Sequence, residues 1–305
     1  MPNLVNLACG QTFHSNWINL DQSATSEEVQ IHDLLTPLPF PNNFADAIYC
    51  SHFLEHLDEQ NGENFLRECF RCIKNKGILR IVVPDFESLA RDYLKVLDKT
   101  KTGKNNETEL QWMHLEIFDQ FSRSRPEGEM GPFLSNSRNS ENSFIRNRVG
   151  LAIDNFKSSE KMLDKSEVKR NSIGFLRILR KFMIDPAYRT HFLMKYFCRR
   201  HYKEFLIHPT ESFIKEIFWM FVPSLSYKQI KEAAFRSSGE VHLQSFDYIK
   251  LKKLMIKVGF SKVTQKDAKE SAIANWTFYE LDTTSDGLQR KADSLYVEAR
   301  KGMEN

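Results

Sequence analysis

The sequence predicts an α/β fold built on a doubly wound, largely parallel sheet. Short apolar runs alternate with helical periods from residue 4 to about residue 93, as a sheet covered by helices requires. The same alternation returns between residues 246 and 299. The long stretch between these parts is richer in polar residues and has helical periods. We therefore expect the sheet to be completed from the far end of the chain.

Four strands and one helix are predicted in the first part of the chain. The strands cover residues 5–8, 17–20, 47–50 and 78–83, and the helix covers residues 61–74. Each strand is a short apolar run, whereas the apolar residues of the helix recur at helical spacing. Gly77 follows this helix, and a glycine with positive φ commonly ends a helix. We therefore predict a left-handed helix stop at Gly77.

The last part of the chain is predicted to contribute a helix over residues 246–258, ended by Gly259, and two strands. These strands cover residues 261–265 and 294–299. His242 precedes this helix, and Trp276 and Tyr279 lie in the long connection between the two strands. These side chains could close over a substrate, as loops on a rigid scaffold often do; the alternative is that they pack in the core.

The middle of the chain is predicted to be a mostly helical insertion. Residues 99–106 and 122–147 are polar and loop-like, whereas apolar residues recur at helical spacing over residues 175–183 and 192–205. The insertion would form a partly flexible lid or acceptor site. The predicted organisation is a first part of the sheet domain over residues 1–94, the insertion over residues 95–238, and a C-terminal part over residues 239–305.

Composition excludes several classes of protein. The chain has 305 residues with 43 basic and 40 acidic side chains, for a formal charge of +3, so we expect no nucleic-acid partner. Its five cysteines are odd in number and scattered, which fits a reducing compartment. No apolar run approaches the roughly 18 residues of a membrane span, and the start of the chain lacks the basic and apolar regions of a signal peptide. We therefore expect a cytoplasmic protein.

A candidate cofactor site begins at the end of the first strand. The sequence there is Leu7-Ala8-Cys9-Gly10, and the second strand ends in Asp21. In an open α/β sheet a ligand lies beyond the carboxyl ends of the strands, where glycine admits close backbone approach and an acid can bind ribose hydroxyls. The pattern predicts a nucleotide-like cofactor. A dinucleotide oxidoreductase is disfavoured because no G-x-G-x-x-G motif follows the first strand.

The residues that follow narrow the choice of cofactor. Asp33-Leu34, the Leu-Pro-Phe run over residues 38–40 and the segment over residues 51–57 occur in the order typical of one family. Together with the first turn, they resemble the class I S-adenosylmethionine-dependent methyltransferases. Within that superfamily the chain is similar to the small-molecule, predicted-methyltransferase branch, which begins almost directly at the first strand.

This resemblance implies a Rossmann-like methyltransferase sheet of seven strands, the last antiparallel, and S-adenosyl-L-methionine as cofactor. The turn from Leu7 through Ala8 and Cys9 to Gly10 would hold the methionine part of the cofactor. Asp21 would bind the ribose, and Asp33 with Leu34 would bind the adenine edge. Ser51 would lie at the carboxyl end of the fourth strand, facing the sulfonium methyl group.

Three side chains are candidates for catalysis. His52 lies beside Ser51, and a histidine suits the removal of a proton from a hydroxyl or ammonium acceptor. His56 is the second candidate, with Glu55 as an orienting partner; the alternative is that these two cap or pack the start of a helix. Asp85 follows the strand at residues 78–83, and its carboxylate would either point into the crevice or cap the next helix.

Two short motifs suggest metal chemistry. His52-Phe-Leu-Glu55-His56 spells the H-x-x-E-H signature of a family of zinc peptidases, a minor alternative function. Cys69 and Cys72 spell C-x-x-C, but they lie near the end of a helical period, and no second cysteine pair completes a zinc site. We therefore predict no metal site.

The sequence analysis thus favours methyl transfer from S-adenosyl-L-methionine to a small-molecule acceptor such as a sugar or another hydroxylated metabolite. The alternative is a non-catalytic, methyltransferase-like binding module that acts through its insertion. Basic residues cluster over residues 165–203 and allow three interpretations: a solvated helix face, an anion-binding wall for the acceptor, or a weak contact with a membrane surface.

Overall fold

The structure is a computed structural model. It describes residues 2–24, 26–103, 106–125, 127–153, 235 and 239–302. The described residues belong to one compact unit formed from residues 1–157 and 235–305. The predicted helical periods at 175–183 and 192–205 and the basic stretch at 165–203 lie outside the described ranges.

A seven-stranded mixed sheet forms the centre of this unit. The strands are β1 (Leu4–Leu7), β2 (Ile18–Asp21), β3 (Val29–Ile31), β4 (Ala45–Ser51), β5 (Ile73–Pro84), β6 (Phe260–Lys266) and β7 (Ser294–Lys301). Their order across the sheet is β3-β2-β1-β4-β5-β7-β6. Strand β7 is antiparallel to both β5 and β6, and the other neighbouring strands are parallel. The predicted doubly wound, seven-stranded fold with an antiparallel last strand is confirmed.

The strand order reverses between β1 and β4, and this is where the functional edge of the sheet lies. Leu7, the last residue of β1, is aligned with Leu20 of β2 and Cys50 of β4. The carboxyl ends of these three strands therefore meet, and the residues that follow them share one crevice.

Helices α1 (Glu59–Cys72) and α7 (Tyr248–Val258) cover one face of the sheet. Asp58 caps α1 by accepting a hydrogen bond from the amide of Asn61 at 2.8 Å, and Gly259 ends α7 with φ +116°, as predicted. The apolar stripes of both helices pack against strand residues that alternate toward them. The shared core includes Val5, Leu7, Leu20, Ile48, Phe65, Leu66, Leu251 and Met255.

Among the described residues, the connection between β6 and β7, which includes the 3₁₀ helix Trp276–Tyr279, packs on the opposite face. Trp276 and Tyr279 are buried there against Trp17 and Tyr49, and the Trp276 indole donates to the carbonyl oxygen of Ala268 at 3.0 Å. These two aromatic side chains form core, so the suggestion that they close over a substrate is wrong.

The predicted helix stop at Gly77 is also wrong. Helix α1 ends at Cys72, and Ile73 already has the extended conformation of β5. Gly77 lies inside β5, where a Cβ atom would stand 2.7 Å from Cγ2 of Ile73 and 2.9 Å from the carbonyl oxygen of Lys74. Glycine is therefore required here by close packing within the strand, not by a left-handed helix end.

We expect Gly77→Ala to lower the free energy of unfolding by about 1–3 kcal/mol, because the added methyl group overlaps backbone that cannot move freely. Gly62→Ala in α1 is the control, since its Cβ would be 3.4 Å from its nearest neighbours, the side chains of Leu54 and Gln244. Alanine there should be neutral, or stabilising by up to about 1 kcal/mol, because it favours the helix. Urea denaturation of both variants provides the measurement, and equal losses would contradict the packing argument.

A group of helices follows β5. They are α2 (Phe86–Lys101), α3 (Glu107–Ser122), α4 (Met130–Ser135), α5 (Ser137–Glu141) and α6 (Ser143–Val149). The loop predicted at residues 122–147 is therefore wrong over most of its length. Its polar residues include helix caps: Asn136 and Asn142 accept hydrogen bonds from the first turns of α5 and α6. Leu134 and Ile145 are buried with Trp112 and other apolar residues in a separate small core.

Within the described ranges, none of the helices combines the length and the apolar character that crossing a bilayer requires.

Candidate functional site

The turn after β1 is bound directly to the end of β2. Ala8 and Gly10 both have φ +53°, so the backbone turns sharply at the carboxyl edge of the sheet. The amide of Cys9 donates to the carbonyl oxygen of Leu20 at 3.2 Å. The amide of Gly10 donates to Oδ2 of Asp21 at 2.9 Å. Thus the structure joins the predicted turn and the predicted acid in one local arrangement.

Two buried asparagines, Asn6 and Asn19, stabilise this turn by hydrogen bonds. Nδ2 of Asn6 donates to the carbonyl oxygen of Thr12 at 3.1 Å and to Oδ1 of Asn19 at 3.1 Å. Asn19 in turn donates to the carbonyl oxygen of Trp17 at 2.9 Å. Oδ1 of Asn6 is buried and has no hydrogen-bond partner among the described residues, although Asn6 lines the adjoining cavity. It is therefore an acceptor placed for a ligand donor.

A cavity of about 350 Å³ opens above the carboxyl ends of β1 and β4, within the usual size range for small-molecule sites. We call it the cofactor cavity. The residues that line it come from the turn after β1, from β4 and β5, and from the segment before and within β7. They include Ala8, Cys9, Gly10, Tyr49, Ser51, His52, Leu281, Asp282, Arg290, Lys291 and Tyr296.

The predicted cofactor residues are not all brought to this cavity. Asp21 does not line it but holds Gly10, which does. Leu7 and Leu34 are buried in the core between the sheet, α1 and α7. Asp33 is exposed, and its Oδ1 accepts a hydrogen bond from the amide of Leu35 at 3.0 Å, which closes its own turn.

His52 occupies an unusual position at the end of β4. Its φ is +52°, a left-handed conformation that costs energy for a residue with a side chain, and its amide donates to the carbonyl oxygen of Val82 at 2.8 Å. Its Nε2 is 2.8 Å from Oγ of Ser294, and its Nδ1 is 3.2 Å from Oε1 of Glu55. Burial, together with the charge of Lys291, lowers the pKa of His52 to about 3, so the imidazole is neutral at pH 7.

A second cavity of about 240 Å³ also has His52 in its lining; we call it the acceptor cavity. Its lining combines charged and apolar side chains: Glu116, Arg123, Glu127, Arg148, Lys291, Asp293, Trp112, Met130 and Val149. His52 and Lys291 line both cavities. The two cavities therefore share one imidazole and one lysine side chain in their linings.

Arg148 gives the acceptor cavity a rigid charged wall. Its guanidinium forms hydrogen bonds with both carboxylate oxygens of Glu116, at 2.7 Å to each, and with Oδ2 of Asp92 at 2.6 Å. These bonds join α6 to α3 and α2. Planar, bidentate pairing of this kind fixes the orientation of a guanidinium group, so Arg148 presents a fixed polar surface to the cavity.

The other two predicted catalytic residues lie away from this junction. His56 lines neither of the two large cavities, and its ring faces His242 with ring centroids 4.7 Å apart. Asp85 caps α2 by accepting from the amide of Ser88 at 3.1 Å. With His242, Asp85 lines a small cavity of about 30 Å³, whose lining also includes Glu116 and Arg148 of the acceptor cavity.

The geometry of a zinc peptidase helix is not formed by the H-x-x-E-H motif. Residues Leu54–His56 make one 3₁₀ turn, and His52 precedes it in the left-handed conformation. The two histidines therefore do not stand one turn apart on a helix, as that signature requires. Cys69 and Cys72 are free and fully buried in the core.

Several residues of the site were missed by the sequence analysis. Asn6 lies inside an apolar strand run, and Lys291 lies in the irregular connection before β7. Arg148 and Glu116 come from the region treated as insertion. Neither periodicity nor motif spacing marks such positions. The polar side chain of Asn6 inside an apolar strand could, however, have indicated a functional position.

Comparison with known proteins finds a family match for the first quarter of the chain. Residues 7–81 match the family described as a methyltransferase domain. No match was found among curated proteins. The match covers the turn after β1, Asp21 and the segment around His52. It confirms the resemblance to class I S-adenosylmethionine-dependent methyltransferases, and the strand order of the sheet agrees with it.

Solved structures give weaker similarities. A structure of the Trm112 methyltransferase activator of Haloferax volcanii with its methyltransferase aligns over 29% of this chain at 16% identity and a TM-score of 0.24. The YcgJ protein of Bacillus subtilis aligns over 32% at 17% identity and a TM-score of 0.24. This chain spans about half the length of these two structures, 47% and 51%. A SAM-dependent methyltransferase from Archaeoglobus fulgidus aligns over 98% of this chain and 86% of its own, at 11% identity and a TM-score of 0.35.

Proposed function

We propose that this protein transfers a methyl group from S-adenosyl-L-methionine to a polar small-molecule acceptor, such as a sugar or another hydroxylated metabolite. The observation that carries the proposal is the position of His52, which lines both the cofactor cavity and the acceptor cavity. A methyl donor in the first cavity and an acceptor in the second would meet beside this side chain.

The residues of the cofactor cavity, together with Asp21 beside its turn, fit the proposed cofactor. Bound S-adenosyl-L-methionine supplies a methyl group already activated by a sulfonium. The carboxylate of Asp21 accepts from Gly10 and Ser23, and a carboxylate has further lone pairs for the ribose hydroxyls. The unpartnered Oδ1 of Asn6 suits the ammonium group of the methionine part. The open backbone at Gly10, where a Cβ would meet nothing within 4 Å, leaves room for close approach.

The acceptor cavity suits a molecule with several hydrogen-bonding groups. Its charged side chains include three acids and three bases, so it does not select strongly for one sign of charge. Because Nδ1 of His52 faces a carboxyl oxygen of Glu55, we assign the ring hydrogen to Nδ1. Nε2 is then the acceptor nitrogen, which now faces Ser294. It would take the proton of an acceptor hydroxyl, directly or through Ser294.

Calorimetric titration with S-adenosyl-L-methionine and S-adenosyl-L-homocysteine tests the proposal. We expect the wild type to bind both, and Asp21→Ala to weaken binding roughly 100-fold, the loss of one or two hydrogen bonds to a charged group. Asp98→Ala, an exposed acid on α2, should bind like the wild type.

Because Asp21 also holds Gly10, thermal melting of Asp21→Ala is needed to show that the variant is folded, and Asp21→Asn is the milder replacement. Absence of binding in the wild type would overturn the proposal and favour a binding module that keeps the fold without the cofactor. Equal affinities in wild type and Asp21→Ala would overturn the assignment of this cavity.

A further inference from the structure

A cluster of three side chains of metal-ligating types lies beside the proposed site, where one of them, Glu55, contacts His52. Glu55 and His56 belong to the 3₁₀ turn after β4, and His242 lies in the segment before α7. One ligand atom from each of these residues lies within 4.8 Å of the other two. The cluster is assembled from distant parts of the sequence.

Burial makes this cluster chemically unusual. Glu55 is 1% exposed, and neither of its carboxylate oxygens has a hydrogen-bond partner among the described residues. Nδ1 of His56 is likewise buried without a partner there. Burial of a carboxylate without a compensating partner is unfavourable. The arrangement therefore offers three converging ligand atoms that a cation would satisfy.

The recorded cations near the cluster do not fill this role. The guanidinium of Arg123 donates to the main-chain oxygen of Glu240, and Lys291 lines the two large cavities. Both act on the cluster through their charge alone. Nδ1 of His52 lies 3.2 Å from Oε1 of Glu55 without forming a hydrogen bond, so both carboxylate oxygens are unpartnered within the described part of the chain.

We propose that Glu55, His56 and His242 bind a divalent transition-metal ion of the zinc class. Two imidazoles and one carboxylate are a common donor set for zinc, whereas magnesium and calcium prefer oxygen ligands throughout. With metal–ligand bonds of about 2.0–2.2 Å, tetrahedral ligand atoms stand about 3.3 Å apart. The ligand atoms of the three side chains lie within 4.8 Å of one another, so side-chain rotations that move each atom by about 1 Å would bring them to this spacing. A water molecule or hydroxide completes the coordination.

The surroundings of Glu55 would support such a site. His52 contacts its carboxylate from outside the cluster, as partners of metal-bound carboxylates commonly do. The main-chain oxygen of Glu55 accepts hydrogen bonds from the amides of Leu243 at 2.8 Å and Gln244 at 3.1 Å. A bound ion would therefore fasten the segment around His242 to the end of β4 and hold the ring of His52. The binding site itself does not depend on methyl transfer.

This inference revises the sequence analysis, which expected no metal. The H-x-x-E-H motif indicated His52 and His56 as paired ligands with Glu55 as the base. The structure instead groups Glu55 and His56 with His242 and leaves His52 as a neighbour of the carboxylate.

Metal titration of chelator-treated, dialysed protein tests the proposal. We expect the wild type to bind one equivalent of Zn²⁺ and, with Co²⁺, to show the visible absorption of a four- or five-coordinate site. Binding of Mg²⁺ is not expected. His242→Ala and Glu55→Gln should weaken Zn²⁺ binding more than about 100-fold, since loss of even an outer partner costs 10–100-fold. His114→Ala, an exposed histidine on α3, should bind like the wild type.

Thermal melting separates loss of the site from loss of the fold. One equivalent of Zn²⁺ should raise the melting temperature of the wild type but not that of Glu55→Gln, whose neutral amide removes the buried charge. If His242→Ala does not fold, His242→Asn replaces it. Failure of the wild type to bind Zn²⁺, or unchanged binding in both ligand variants, would overturn the proposal. Calorimetry with S-adenosyl-L-homocysteine on the metal-free protein keeps this outcome distinct from failure of the proposed function.

Discussion

Arg80→Met is expected to lower the free energy of unfolding by about 3–5 kcal/mol, because it leaves buried carboxylates without their cation. Arg80 is 0% exposed. Its Nε donates to Oδ2 of Asp282 at 2.8 Å, and its Nη1 donates to Oε1 of Glu298 at 2.8 Å. The guanidinium also lies over the ring of Trp276, 4.6 Å from the centroid. No water can replace these contacts without opening the core.

The network of Arg80 also reaches the candidate site. Asp282 accepts a hydrogen bond from the Tyr49 hydroxyl at 2.6 Å, and both residues line the cofactor cavity. Burial raises the pKa of Asp282, and the positive charge of Arg80 opposes this rise. Without Arg80, the carboxylate of Asp282 would take up a proton, or water would enter the core beside it. We therefore expect the loss of stability to be accompanied by weaker binding of S-adenosyl-L-homocysteine.

Arg91→Met is the matched control for Arg80→Met. Arg91 pairs with Glu87 on the surface of α2, and the two side chains are 76% and 51% exposed. Exposed pairs of this kind contribute about 0–1 kcal/mol, so urea denaturation should show a change of that size. Losses of similar size in the two variants would contradict the role assigned to Arg80.

His52→Gln is expected to slow methyl transfer by about 10²-fold, the low end of the contribution of a positioned general base, because a pKa of about 3 makes His52 a weak base. The rate is measured as release of S-adenosyl-L-homocysteine with the best acceptor from a panel of sugars and polyols. Affinity for S-adenosyl-L-homocysteine should change little, because the acceptor nitrogen of His52 faces Ser294 rather than the turn after β1. His114→Gln should keep the wild-type rate.

The pH profile distinguishes this role from a structural one. Burial lowers the pKa of His52 to about 3, so the ring remains neutral and able to accept a proton throughout pH 5–8. The wild-type rate should therefore lack an acid limb near the ordinary histidine pKa of about 6.5. The assignment would be contradicted if the rate fell toward low pH with an apparent pKa near 6.5, or if His52→Gln kept the wild-type rate.

The elements that were predicted well have local signals. β1, β4 and the end of α7 follow from apolar periodicity and from a glycine placed where a helix must end. β3 was missed because it has three residues, of which only Val29 is buried. The helix stop predicted at Gly77 and the loop predicted in place of the short helices after α3 were wrong because glycine and asparagine each have more than one structural role. Glycine permits close packing as well as positive φ, and asparagine caps helices as well as forming loops.

The residues of the candidate site likewise divide into those that local sequence patterns could predict and those that they could not. Gly10 and Asp21 could be paired from the sequence because they follow neighbouring parallel strands whose carboxyl ends must meet. Asp33 was assigned to the adenine edge by the family resemblance alone, and its side chain instead closes its own turn. The acceptor cavity could not be predicted, since Arg148, Glu116 and Lys291 come from three separate segments.

The sequence by itself determined most strands of the sheet and the turn that would hold a cofactor, because periodicity and turn chemistry act between residues close in the chain. Only the tertiary structure decided that His52 lines two cavities and that His242 joins Glu55 and His56. It also decided that Trp276 belongs to the core. These outcomes depend on burial and on contacts between distant segments, which local patterns do not encode.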